Sequence, residues 1–127
     1  MIHGTLSHLL WGDQIWMSRF AGTPQPPRPQ GGIPDWVALH PDWSEMKRTR
    51  AAFDDTMIVW ADGLDASSLA GNLTYYSGGA KRDLTGPKWL LVTHMFNHQT
   101  HHRGQVHCML TQAGGKPHAT DLPLLPE

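Results

Sequence analysis

The chain has 127 residues, with ten Lys and Arg against eleven Asp and Glu, nine His, one Cys and a formal net charge of −1. That length suits one domain with a real core, and the near-neutral balance excludes a basic field that would hold nucleic acid or anionic lipid by charge alone. The single cysteine, Cys108, excludes an internal disulfide and fits a reducing compartment. No apolar run approaches the length of a membrane span, and no charged start leads into a greasy stretch. A soluble cytoplasmic protein is expected, without a signal peptide and with neither nucleic acid nor membrane as partner.

Three stretches have helical period. The first starts at Thr5, a residue type suited to an N-cap, carries Leu6, Leu9, Leu10, Trp16, Met17 and Phe20, and stops at Gly22. From Thr23 to Pro34, "TPQPPRPQGGIP" has five prolines in twelve residues, which excludes regular helix or central strand and predicts a long crossing over 23–41, a spacer before a polyproline ligand. The second helix is expected from Asp42, because Trp43, Met46, Arg50, Phe53, Met57 and Trp60 recur at steps of three and four. "NLTYYSGGAKRDL" (72–84) reads as a small hairpin: strand residues Leu73 to Tyr76, a Ser77-Gly78-Gly79 turn and a polar return strand. The third helix opens at Pro87, a favoured first-turn residue, and runs to Ala113, where Gly114 and Gly115 supply the stop.

These elements predict an all-α, bundle-like domain over 1–127 with one small hairpin before the last helix. Trp89, Val92, Phe96 and Leu110 form an apolar strip on the far side of the last helix from His98. A homodimer would cover it.

"HMFNHQTHHRGQVH" (94–107) holds five of the nine histidines. On a helical wheel, with His98 as origin, His94, His102, Gln105, Leu91, Met95 and Met109 all fall within about 60° of it. His101 sits on the shoulder of this stripe, while His107 and Cys108 point away and make poor ligands. Two histidines four apart, His98 and His102, place their imidazoles side by side, the spacing at which one helix grips a transition metal. A third ligand from another segment would complete the protein's share, and His8, among apolar residues near the start of the first helix, is the natural donor. His3, His40 and His118 lie at helix starts or beyond the terminal glycines. A lone histidine on an apolar face is more often a hydrogen-bonded core residue; several such rings without metal or partners would strand polar groups at roughly 1–3 kcal/mol each. Spacing alone leaves both readings open.

The stretch "FNHQTHHRGQVH", with "GTLSHLLWGDQIWMSRFAG" upstream and "LTQAGGKPHATDLPLL" downstream, resembles the DinB family of metal-binding helical bundle proteins, also called YfiT-like. The similarity covers almost the whole chain, and the Asn-His-x-x-x-His-Arg-Gly-Gln core is complete at 97–105. The resemblance implies an up-and-down bundle of the four-helix type and a divalent metal held by His8, His98 and His102. It implies roles beside the ligands for Asn97 and Gln105, and gives His94 and His101 no ligand role, so these two are expected to support ligands, face substrate or serve structure. Arg103 points away from the metal and is expected to pair with Asp13, which projects among Leu6, Leu9, Met17 and Phe20 and needs a partner. Family members typically begin with one more helix before "GTLSHLL"; its lack here is a further reason to expect a partner chain.

By the same resemblance the protein is expected to be a metal-dependent enzyme in which the ion acts as Lewis acid toward a small-molecule substrate, with a low-molecular-weight thiol as co-substrate for transfer or, less in keeping with the family, with water for hydrolysis. Zinc and nickel lead as the metal, with iron and copper also suited to three nitrogens. The alternative is a non-catalytic metal-binding stress-response module, for which a site closed by four protein ligands would be the mark. No paired carboxylates, nucleophile elbow or phosphate loop supports another chemistry. A DNA-repair role is disfavoured by charge and motif alike.

Overall fold

The structure is a computed structural model that describes residues 1–31 and 33–124; Gly32 of the expected crossing and residues 125–127 of the expected domain lie outside the described residues. The chain is mostly helical. It has α1 (Ile2–Ala21), α2 (Ile33–Leu39), α3 (Trp43–Asp62), a strand pair β1 (Asn72–Ser77) and β2 (Arg82–Pro87), and α4 (Lys88–Gln112), with single 3-10 turns at Ser67–Leu69 and Leu122–Leu124. α1 is the hub: α2, α3 and α4 all pack against it.

α1 begins three residues before the expected cap. Met1 precedes its first turn, and the Thr5 hydroxyl, instead of capping, donates back to the Met1 carbonyl at 3.1 Å. The extra turn is held from outside, because His3 Nε2 donates to the His40 carbonyl at 2.6 Å and its ring meets Trp43 edge-on. The other end is as expected, since Gly22 stops the helix at φ 69°. The proline-rich crossing is shorter than expected because α2 forms inside it. Pro34 falls in the first turn of α2, where its missing N–H costs no hydrogen bond. Trp11 ties the crossing to α1 by donating from its indole to the Pro27 carbonyl at 2.7 Å.

Asp42 caps α3, its carboxylate accepting from the Glu45 N–H at 2.6 Å. Along the expected seam Met46 and Met57 are buried and Phe53 and Trp60 half-buried, while Trp43 is 44% exposed. The hairpin's return strand extends past Leu84 to Pro87, with Leu73 opposite Gly86 and Tyr75 opposite Leu84. Its connection is residues 78–81, and the left-handed residue is Lys81 at φ 54° rather than a glycine. Pro87 closes β2 and directly precedes α4, with the Lys88 N–H on the Gly71 carbonyl at 2.9 Å.

Trp16 and Met17 of α1, Met57 of α3, and Leu91 and Met95 of α4 form the core, with Phe20, Phe53, Trp60, Leu73 and Tyr75 packed around them. Leu91, Met95, Gln99 and Val106 are the buried residues of α4. Its core face is therefore centred about 60° round from His98. The histidine stripe lies on the edge of the core, not at its centre as expected.

Asp13 is 2% exposed and pairs with Arg50, not Arg103. Arg50 Nη1 donates to its carboxylate at 2.6 Å and Gln99 Nε2 at 2.9 Å. Arg103 is exposed at the rim of a cavity of about 520 Å³ lined by α1, α3 and α4. Arg50 also pairs with Asp54 one turn on. Burial pushes the Asp13 carboxyl above its ordinary 3.8, and this outweighs the lowering by Gln99 and Arg50.

Breaking the pair leaves an uncompensated buried charge, so Arg50→Met should cost about 3 kcal/mol at neutral pH. The folded state already holds the Asp13 proton more tightly than the unfolded chain, and losing Arg50 raises that pKa further. Stability of the variant should therefore recover as pH falls and Asp13 is protonated. Urea midpoints of wild type and Arg50→Met at about pH 7.5 and about pH 5 test this; an equal deficit at both would rule out the buried carboxylate as the cause.

Candidate metal centre

α1 supplies His8, and α4 supplies His98 and His102 one turn apart. One ring nitrogen from each lies within 4.8 Å of the other two. His8 Nε2 and His98 Nε2 are 3.1 Å apart, close to the roughly 3.3 Å between two nitrogens bound tetrahedrally at about 2.05 Å. The ring centres of His102 are 4.4 Å from His98 and 4.6 Å from His8.

Gly12 makes this approach possible. It sits one turn after His8, and a Cβ built there would meet His98 Cε1 at 2.8 Å, a separation real side chains do not tolerate. Two aromatic rings wall His8: Trp36 meets it edge-on at 4.5 Å and Trp11 lies stacked at 6.5 Å. Neither tryptophan was expected at the site. For Trp11 the signal was present, three residues after His8; Trp36 arrives only through the fold of α2.

The centre favours neutral imidazole. Burial, then the neighbouring His102, His8, His94 and His101, lowers the pKa of His98 to about 4. His8 is lowered by burial and by His102. Only neutral rings have a lone pair to give. Of the four ring nitrogens of His8 and His98, the two Nε2 atoms face each other, and both Nδ1 atoms are buried without a hydrogen-bond partner. The donor set thus fits a cation. His102 Nδ1 lies 2.7 Å from Gln105 Oε1, which can only accept, so Nδ1 carries a hydrogen and Nε2 is the ring nitrogen left to coordinate. The Gln105 amide nitrogen in turn donates to His101 Nε2 at 3.1 Å.

The other histidines stand outside the trio. His94 is exposed, edge-on to Trp16 at 5.2 Å and 6.2 Å from His98. His101 is exposed and reaches the centre only through Gln105, while Asn97 lies on an exposed part of α4. Cys108 is exposed and outside the ligand group, yet it borders a cavity of about 550 Å³ shared with His8, His102 and Trp36. Among the described residues no fourth His, Cys, Asp or Glu joins the three imidazoles.

Fold and site together define a small helical protein with a three-histidine centre that can hold a divalent ion. The chain belongs to the DinB family, whose sequence profile matches residues 1–127. Comparison with curated proteins gives no match, nor does comparison with solved structures.

A methyl group at Gly12 should displace His98, so Gly12→Ala is expected to weaken metal affinity by tenfold or more, on the order of the loss seen when ligand orientation is disturbed. Gly104 of α4 has open space at its Cβ, and Gly104→Ala should leave metal affinity unchanged while stabilising the helix by about 1 kcal/mol. Competition against a chromogenic chelator checks both; unaltered affinity in Gly12→Ala would mean that Gly12 does not set the position of His98.

Proposed function

We propose that this DinB protein is a metal-dependent enzyme, a thiol-dependent transferase or related catalyst, with His8, His98 and His102 holding one divalent ion. The observation that carries the reading is the convergence of three imidazoles from two helices without a fourth His, Cys, Asp or Glu among the described residues. Structural sites are commonly closed by four protein ligands; catalytic ones keep a position open. When bound, such an ion supplies Lewis-acid chemistry, lowering the pKa of a thiol or water in its open position. Zinc and nickel are the first choices for three nitrogen donors, with iron and copper also compatible.

The chain's own residues have definite duties in this reading. Gln105 engages His102 Nδ1, which leaves Nε2 as the nitrogen that would hold the ion. Trp11 and Trp36 wall His8, which limits water at that side and strengthens every interaction of the charge. The neighbouring cavities admit a small molecule, and no protein nucleophile is required.

The protein is also proposed to be cytoplasmic and a homodimer. No helix of the described residues is long and apolar enough to cross a membrane, and the one cysteine suits a reducing compartment. On α4, Trp89, Phe96 and Leu110 are 56%, 45% and 37% exposed and Val92 is half-buried, an apolar strip that a second chain would cover.

Elemental analysis should find roughly one divalent ion per chain, lost in His98→Ala and in His102→Ala. Full occupancy in either variant would refute the ligand assignment. A screen of common cellular thiols against electrophilic substrates, with and without chelator, should show chelator-sensitive thiol consumption; a fully loaded protein inert to every thiol points to the non-catalytic module. Light scattering at micromolar concentration should give twice the monomer mass, and a monodisperse monomer would contradict the dimer.

A further inference from the structure

A cavity of about 640 Å³ lies between α1, the proline-rich crossing, the hairpin and α4, and His98 and His94 line it together with Arg19 and Arg28. No Asp or Glu is among its lining residues. Nothing in the metal chemistry above accounts for two guanidinium groups in one cavity.

Arg19 is held with unusual definition. Its guanidinium carbon is 4.4 Å from the ring centres of both Trp16 and Tyr75, and Nη2 donates to the Tyr76 carbonyl at 3.2 Å. The group is half-buried, and burial lowers its pKa. Arg28 comes from the crossing. Its guanidinium occupies the space a side chain at Gly78 would fill, so glycine at that position serves the close approach of Arg28 rather than the turn, whose left-handed residue is Lys81. Among the described residues neither arginine pairs with a carboxylate; the ion pairs there are both Arg50's.

Two like charges facing one cavity repel, and a partly desolvated guanidinium without a counter-charge is costly. An anion entering the cavity relieves both. The planar, fixed fork of Arg19 is already oriented by two rings and a carbonyl, so little is lost in ordering it around a carboxylate or phosphate. The walls also set the ligand's size: Trp16 packs against both Arg19 and His94, and His94 stands 6.2 Å from His98. A ligand reaching from Arg19 to His98 spans one indole and one imidazole, the length of a small molecule.

We propose that this cavity is an anion subsite in which Arg19 and Arg28 grip the carboxylate or phosphate of a small organic acid whose other end lies at His98. The direction of the ligand rests on the metal-centre reading; the grip on the anion does not.

The test titrates the full chain, both zinc-loaded and metal-stripped, with benzoate, succinate and inorganic phosphate, and with benzamide as a neutral match for benzoate, followed by calorimetry. At least one anion should bind with a dissociation constant below about 10 mM. Benzamide should bind about tenfold more weakly than benzoate, and Arg28→Gln and Arg19→Lys should each weaken the bound anion about tenfold. Metal content of both variants should equal wild type. Arg28 is exposed, so Arg28→Gln decides the matter if Arg19→Lys fails to fold. Arginine-dependent binding to the stripped protein supports the subsite even where elemental analysis denies the metal. Tighter binding of carboxylate or of phosphate supports it equally and says which oxyanion is served. The proposal is overturned if no anion binds, if benzamide matches benzoate, or if binding requires zinc and ignores both arginines.

Discussion

The close approach of α1 and α4 at Gly12 is the contact on which the rest depends. Without a side chain there, His98 can lie against the backbone of α1 and meet His8 one turn earlier on the same helix. Any larger residue would push the helices apart or turn the imidazole away. The other two histidines would keep their places on their own helices, but the trio would be lost. A site assembled from two helices is only as good as the distance between them, and one glycine sets that distance here.

The same pair of helices is pinned a second time on another face. Consecutive residues of α4 do the two jobs: His98 meets His8, and Gln99 donates to Asp13. Asp13 in turn takes Arg50 from α3. A slide of α4 along α1 would break the imidazole contact and the buried carboxylate's hydrogen bond together. Burying Asp13 works against stability taken alone, since desolvation holds its pKa above the ordinary value despite two partners. What the arrangement provides is register, because a buried charge with few acceptable partners excludes alternative packings that apolar contacts would permit.

Around this frame the two sides of the centre differ in chemistry. One cavity brings Trp36, Gln105 and Cys108 to His8 and His102; the other brings two arginines and several aromatic rings to His98. The proline-rich crossing contributes to the second cavity through Arg28 and carries α2, and with it Trp36, to the first.

Features with local causes were legible in the chain itself. The helix start at Asp42, the stop at Gly22 and the glycine after Ala113 depend on residues a few positions apart, and so does the side-by-side placement of His98 and His102. That His8, His98 and His102 come together was also readable, because a histidine near the start of an apolar helix has few reasons to be there. Features that depend on what lies across a helix were not. Arg50 sits in an apolar seam and Arg103 in a conspicuous signature, and only the packing of α3 on α1 decides that Arg50 reaches Asp13. Taking His98 as the centre of the α4 wheel put the histidines in the core; the true centre is set by Leu91, Met95, Gln99 and Val106 against α1. α2 formed in a segment whose prolines argued against helix, since Pro34 fell in the one turn that tolerates it. The amino-acid sequence by itself determined which groups are chemically able to hold a metal, the stop of α1 at Gly22 and the start of α3 at Asp42, because those follow from side-chain type and short-range hydrogen bonding. Tertiary structure alone decided which of them meet, since inter-helix distance is the outcome of all the packing at once.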